Sequence, residues 1–200
     1  SPTARPPCCG YSSNGRANRR MAKNLTVNGD TFELMISERR IKTRIKALAK
    51  DINKKYKGKI PVFIGILNGS FIFFADLIRE ITIDCEVDFL KLSSYGDAKI
   101  SSGNVRLLKD LNCEVTGRHI IIVEDIVDSG LSMQYIRDLA LRQNPASFTV
   151  VTLLYKPASV KTNIQLDYVG FTIDPEFVIG YGLDYAQRER NLRAIYRMKS

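Results

Sequence analysis

Apolar positions in this chain follow two periods that take turns along it. In residues 37–56 (SERRIKTRIKALAKDINKKY), Ile41, Ile45, Leu48 and Ile52 recur at helical spacing behind a serine and an acid, the pattern of a capped amphipathic helix. Residues 61–67 (PVFIGIL) are continuously apolar and too short for a helix, which predicts a buried strand. Asn68-Gly69-Ser70 is then a tight turn and 71–80 the next helix. Residues 87–95 (VDFLKLSSY) alternate as a strand does, 96–103 (GDAKISSG) are polar and read as a mobile loop, and 104–108 return as a strand. The run Ile120-Ile121-Ile122-Val123 predicts a central strand buried on both faces. A helix is expected over 133–142 (MQYIRDLALR), another strand over 148–154, and short β-like pieces at 168–173 and 177–179.

Strands and helices alternating in this order predict an α/β fold, a mostly parallel sheet flanked by helices, in a single domain. Beyond Lys161 the helical pattern fades. Residues 161–200 are expected to join 24–36 in a small hood subdomain over the carboxyl edge of the sheet, enclosing a base-sized pocket. Residues 1–20 (SPTARPPCCGYSSNGRANRR) have no hydrophobic period and read as a disordered leader, so the domain is expected over 21–200.

Setting the leader aside changes the charge. The formal net charge of +9 falls to +5 without Arg5, Arg16, Arg19 and Arg20, an excess that suits an anionic substrate and does not call for nucleic acid. No apolar run approaches the roughly 20 residues needed to cross a bilayer, so no membrane partner is expected. Cys8, Cys9, Cys85 and Cys113 lack metal-ligand spacing, and reduced thiols in a cytoplasmic protein are the expectation. The one histidine, His119, precedes the central strand and reads as a strand-start residue.

The chemistry concentrates at the other end of that strand, where the chain reads IIIVEDIVDSGLS from Ile120 to Ser132. Ligands of an open parallel sheet bind outside the carboxyl ends of its strands. Here that end carries Glu124, Asp125 and Asp128, then a small-residue turn, Ser129-Gly130-Leu131-Ser132, entering a helix whose N-terminal dipole favours an anion. Carboxylates beside a phosphate cradle make sense for a sugar phosphate: Glu124 and Asp125 can accept from ribose hydroxyls while a divalent cation offsets the charge. No G-x-G-x-x-G or G-x-x-x-x-G-K-[ST] is present, which removes the usual dinucleotide and nucleoside triphosphate readings.

The string resembles the phosphoribosyl pyrophosphate (PRPP) signature of the purine phosphoribosyltransferases. Ile66-Leu67-Asn68-Gly69, Leu92-Ser93-Ser94-Tyr95-Gly96, Leu153-Leu154-Tyr155-Lys156-Pro157 and Phe177-Val178-Ile179-Gly180-Tyr181-Gly182-Leu183-Asp184-Tyr185 follow in the order seen in hypoxanthine and hypoxanthine-guanine phosphoribosyltransferases. The resemblance covers about residues 22–198 and implies the type I phosphoribosyltransferase fold, magnesium as cofactor, and transfer of the phosphoribosyl group from PRPP to a 6-oxopurine. It also implies a homodimer or homotetramer.

Carried over by position, Glu124 and Asp125 hold the ribose hydroxyls, and Asp128 to Ser132 bind the 5′-phosphate. Asp128 is in addition the proton acceptor at the purine imidazole. Lys156 meets the 6-oxo group, Phe177 stacks on the base, and Val178 presents its backbone to the pyrimidine edge. Leu67, Asn68, Gly69 and Arg190 contact pyrophosphate, the turn often through a cis peptide, and Ser94 and Tyr95 belong to a closing lid. Asp184, with Glu124 and Asp125, is implied at magnesium. The chain departs from the pattern at Asn68, where many relatives carry lysine, and at Asp174-Pro175, a reversed order. Two rivals remain on the same fold, a xanthine-preferring enzyme and an RNA-binding regulator. The Lys/Arg-rich stretch 39–57 invites the second, yet it fits a solvated helix face flanked by Glu38 and interrupted by Asp51.

Overall fold

A computed structural model describes residues 23–94 and 105–199. The helix expected over 37–56 is α1, Glu38–Lys55, preceded by β1 (Asn24–Val27) and β2 (Asp30–Ile36). Ser37 is its N-cap, its Oγ accepting from Arg40 N at 3.4 Å, and Ile41, Ile45, Leu48 and Ile52 are all buried. There follow β3 (Val62–Leu67), α2 (Phe71–Glu80), β4 (Glu86–Ser94), β5 (Val105–Lys109), β6 (His119–Val127), α3 (Leu131–Leu141) and β7 (Ser147–Tyr155). A short 3-10 turn (Pro157–Ser159), β8 (Tyr168–Thr172), β9 (Val178–Ile179) and β10 (Ile195–Met198) complete the chain.

The main sheet has the order β5-β4-β3-β6-β7-β8, parallel except for β5. From β3 the chain winds outward one way through β4 and β5; from β6 it winds the other way through β7 and β8. The crevice beyond the ends of β3 and β6 is therefore the point where the strand order reverses, the place where such sheets bind ligands. β6 is covered on both faces. Ile121 and Val123 join Phe73, Phe74, Leu77 and the apolar stripe of α1 on one side, while Ile120 and Ile122 join Met133 and Ile136 of α3 on the other. The edge at β8 is closed by Arg44 of α1, whose guanidinium donates to Val169 O at 2.6 Å and Gly170 O at 2.9 Å.

Three boundaries differ from the sequence reading. The central strand does not stop at Val123 but runs through Glu124 and Asp125 to Val127, because the apolar Ile126 and Val127 keep pairing with β7. The third helix starts at Leu131 rather than 133, so Leu131 and Ser132 form its first turn. The hood is narrower than 161–200. Residues 168–172 pair in parallel with β7 in the main sheet, and the antiparallel hood sheet is β1-β2-β10-β9.

Asp88 on β4 anchors the connection into β6. Its carboxylate accepts from the N–H groups of Phe89, Asn112 and Cys113 and from Lys109 Nζ at 2.6–3.2 Å. Burial pushes the group up, but these donors outweigh it and hold its pKa at about 2. A depressed carboxyl contributes stability above its unfolded pKa, lost as pH falls through the folded value. Asp88→Asn is therefore expected to cost about 2 kcal/mol at pH 7, the difference from the parent shrinking as pH drops from about 4 toward 2, as urea unfolding at pH 7 and 3 would show.

Candidate active site

Three strand ends and one loop build the site. After β3 the Leu67–Asn68 peptide is cis, and the chain turns through Asn68 and Gly69 into Ser70, whose Oγ donates to Ile66 O at 2.5 Å. After β6 the chain turns through Asp128 and Ser129 to Gly130, which enters α3 with a left-handed φ of 80°. The first N–H groups of α3 have no partner inside the helix and face a cavity of about 110 Å³ lined by Glu124, Asp128, Ser129, Gly130, Ser132 and Met133. The segment after β7 seals this turn from behind. Lys161 N donates to Ser129 O at 2.9 Å, and Thr162 Oγ1 stands where a side chain on Gly130 would lie.

Asp125 is buried and Glu124, beside it, is half-buried. Burial and the adjacent Asp125 carboxylate raise Glu124 well above the ordinary range, and its Oε2 is buried without a hydrogen-bond partner. Burial also raises Asp125, against the pull of Glu124 as a donor and of Arg190. Asp125 also fixes the neighbouring turn, for a Cβ on Gly69 would fall inside its carboxylate.

Asp128 and Lys156 meet. Lys156 Nζ donates to Asp128 Oδ2 at 3.0 Å, the lysine side chain 10% and the aspartate 53% exposed. A strand-end lysine reads as a solvated cation, but this one is turned inward by its position just after β7, where its N–H donates to Val127 O at 3.0 Å. The aspartate is left with an accessible face.

The C-terminal loop supplies the other wall. Asp184 is ion-paired with Arg190 at 2.8 Å through one oxygen and accepts from Gln187 N at 2.8 Å on the other. Arg190 also donates to Gly182 O at 2.8 Å. Arg188, its neighbour in the charged run, is exposed and pairs with Tyr185 only through the backbone. Gly182 lies on the carbonyl of Gly69 so closely that a Cβ on Gly182 would fall on that oxygen. Phe177 is 45% exposed and packs edge-on to Tyr185 at 5.5 Å, while Val178 is buried and pairs with Arg197 of β10. A lone Phe beside Val178 and Ile179 would be expected in the core; here it lies at the hood surface.

Comparison with known proteins agrees with this geometry. Residues 35–186 match the model of the phosphoribosyl transferase domain. The hypoxanthine-guanine phosphoribosyltransferase of Bacillus subtilis is 44% identical over 170 residues, 85% of this chain and 94% of that protein. The chain belongs to the hypoxanthine and hypoxanthine-guanine phosphoribosyltransferase family. A crystal structure of a Bacillus anthracis hypoxanthine-guanine phosphoribosyltransferase aligns with a TM-score of 0.79 at 42% identity, covering 82% of this chain and 97% of that one. The chain also matches the bifunctional protein TilS/HprT of Listeria monocytogenes at 41% identity over 184 residues, spanning 28% of that longer protein's length.

Within the family pattern, the magnesium ligands implied by sequence occupy two stations, Glu124 with Asp125 at the end of β6 and Asp184 beside Arg190. Among the described residues no three His, Cys, Asp or Glu gather into one cage. The donors fit magnesium nonetheless: both stations offer oxygen alone, and this ion usually takes one or two carboxylates together with substrate phosphates. Of the lid residues, Ser94 ends β4, while Tyr95 and the loop 96–103 lie outside the described residues. Thr162, Gly182 and Tyr181 were not marked by sequence as site residues. Only the Gly-Tyr-Gly spelling of 180–182 hinted that backbone, rather than side chain, matters there.

Proposed function

We propose that this protein transfers the phosphoribosyl group of PRPP to hypoxanthine, and to guanine, releasing pyrophosphate and the nucleoside monophosphate. The observation that carries the reading is the Lys156–Asp128 contact at 3.0 Å beside the cradle at the start of α3. It puts a donor suited to a 6-oxo group next to an acceptor suited to the imidazole proton. The buried, unpartnered Oε2 of Glu124 invites a hydroxyl donor, as a ribose would supply. The 5′-phosphate has the α3 N–H groups, Ser129 and Ser132; pyrophosphate has the Leu67-Asn68-Gly69 turn and Arg190; the base has Phe177 and Val178.

As the bond from the anomeric carbon to pyrophosphate lengthens, positive charge builds on the ribose, as in glycoside transfer. Glu124, Asp125 and Asp184 would hold magnesium, which would supply positive charge to offset that of the departing pyrophosphate. Arg190 stabilises the leaving group, and Asp128 takes the proton that the purine loses. Lys156 selects a carbonyl over the amino group of adenine, since an ammonium can only donate. The family implies assembly as a homodimer or homotetramer.

Initial rates with PRPP and magnesium should be highest with hypoxanthine, with guanine next and adenine at background. A rate highest with xanthine would shift the substrate, and no turnover of any 6-oxopurine would overturn the proposal.

A further inference from the structure

We infer that Tyr181, bonded to Asp76 of α2, is a positioning residue that seats the C-terminal loop bearing Asp184 and Arg190 against the turn after β3, and thereby sets the affinity for PRPP. The inference rests on the site reading above.

Tyr181 is a bulky residue at φ 54°, between Gly180 at 92° and Gly182 at 102°. Glycine adopts these values freely; a tyrosine does so only when its surroundings compel it, and such residues gather where geometry serves function. What compels this one is its side chain. Tyr181 is 3% exposed, and its hydroxyl donates to Asp76 Oδ2 at 2.6 Å. Burial and the Asp76 carboxylate both push the phenol far above its ordinary pKa, so it remains a donor across the working pH range.

The position of that bond gives it its consequence. Backbone bonds from the same three residues close the loop on itself: Gly180 N to Leu183 O at 3.0 Å, Tyr181 N to Leu192 O at 2.9 Å and Gly182 N to Arg190 O at 2.9 Å. The phenol instead crosses to α2, the helix that springs directly from the Asn68-Gly69 turn. One residue on, Gly182 rests on the carbonyl of Gly69 with no room for a Cβ. The turn and the loop, the two places assigned to pyrophosphate, are thus joined through one phenol–carboxylate bond to a common helix. Behind it lies a cavity of about 240 Å³, bordered by Ile72, Asn191, Leu192, Arg193, and by Glu38 and Lys42 of α1. Once the bond is cut, the loop has room to withdraw from Gly69, taking Arg190 with it. Lys156 stands on a separate segment at the end of β7, so the contact it offers the base is not tied to this bond.

The test is steady-state kinetics of the full chain with PRPP and hypoxanthine, beside thermal melting. Tyr181→Phe and Asp76→Ala are each expected to raise the PRPP KM by about tenfold, the usual effect of losing a hydrogen bond to a charged group, while the hypoxanthine KM stays within about twofold. The double variant should be no worse than either single one, since both remove one bond. Asp76→Asn keeps an acceptor oxygen and should restore a PRPP KM within about threefold of the parent. Alanine favours a helix, so Asp76→Ala carries the test even where Tyr181→Phe melts poorly. An unchanged PRPP KM, or equal rises for both substrates, would overturn the inference and leave the site reading standing. A parent protein that forms no nucleotide would overturn both.

Discussion

Asp128→Asn should bind PRPP nearly as the parent does and turn it over far more slowly. The amide oxygen of asparagine still accepts from Lys156 Nζ, which in the parent donates to Asp128 Oδ2 at 3.0 Å, so the lysine keeps its seat and the cradle its shape. What is lost is the ability to take a proton. General base catalysis contributes about 10²–10⁴-fold, so kcat is expected to fall by about a hundredfold or more while the PRPP KM stays within about threefold. Single-turnover measurement of inosine monophosphate formation separates this from slow product release. Activity equal to the parent would strip Asp128 of the proton-transfer role.

Gly69→Ala is expected to be worse still, for a purely steric reason. Gly69 is not at a positive φ, so its dihedral angles do not require glycine; space does. An added methyl would fall inside the Asp125 carboxylate, itself buried between the strands, and the turn cannot back away because Gly182 rests on the Gly69 carbonyl. Overpacking of this kind usually costs about 1–3 kcal/mol, and here it must either expel Asp125 from its place or shift the turn. Either outcome dismantles the sites assigned to ribose and pyrophosphate. We expect kcat/KM for PRPP to drop by roughly a hundredfold or more, a change of about 3 kcal/mol, with a lowered melting temperature. A Gly69→Ala enzyme with the parental PRPP KM would show that the turn is not held as described.

The parts legible in the sequence were those written in local periods. The stripe of α1, the short apolar runs of β3 and β6, and the acid-then-small string at the head of α3 each declare themselves within a dozen residues. Less legible were features made by residues far apart in the chain. Nothing near Gly69 announces that Gly182 will lie on it, or that Tyr181 will reach Asp76. The edge strand β8 was misplaced in the hood because its crossover from β7 carries only a 3-10 turn at Pro157–Ser159, not the helix by which a βαβ unit is usually recognised. Lys156 is polar by composition and buried by topology, a conflict that sequence pattern alone resolves the wrong way. Such conflicts between local rule and final position are expected where a chain builds a site.

The hood sheet has a consequence for the order in which the protein becomes active during synthesis. In β1-β2-β10-β9, β2 and β9 are both completed by β10, at Ile195–Met198. A chain growing from the ribosome can assemble all of the main sheet, cradle included, while β2 has only its hairpin partner β1 and β9 has none. The loop between β9 and β10, with Asp184 and Arg190, is anchored at both ends only when that last strand docks. The nascent protein therefore forms the turn after β3 and the cradle at the head of α3 first and fixes the loop of Asp184 and Arg190 last, so that a chain stalled before β10 would hold the cradle with that loop unanchored.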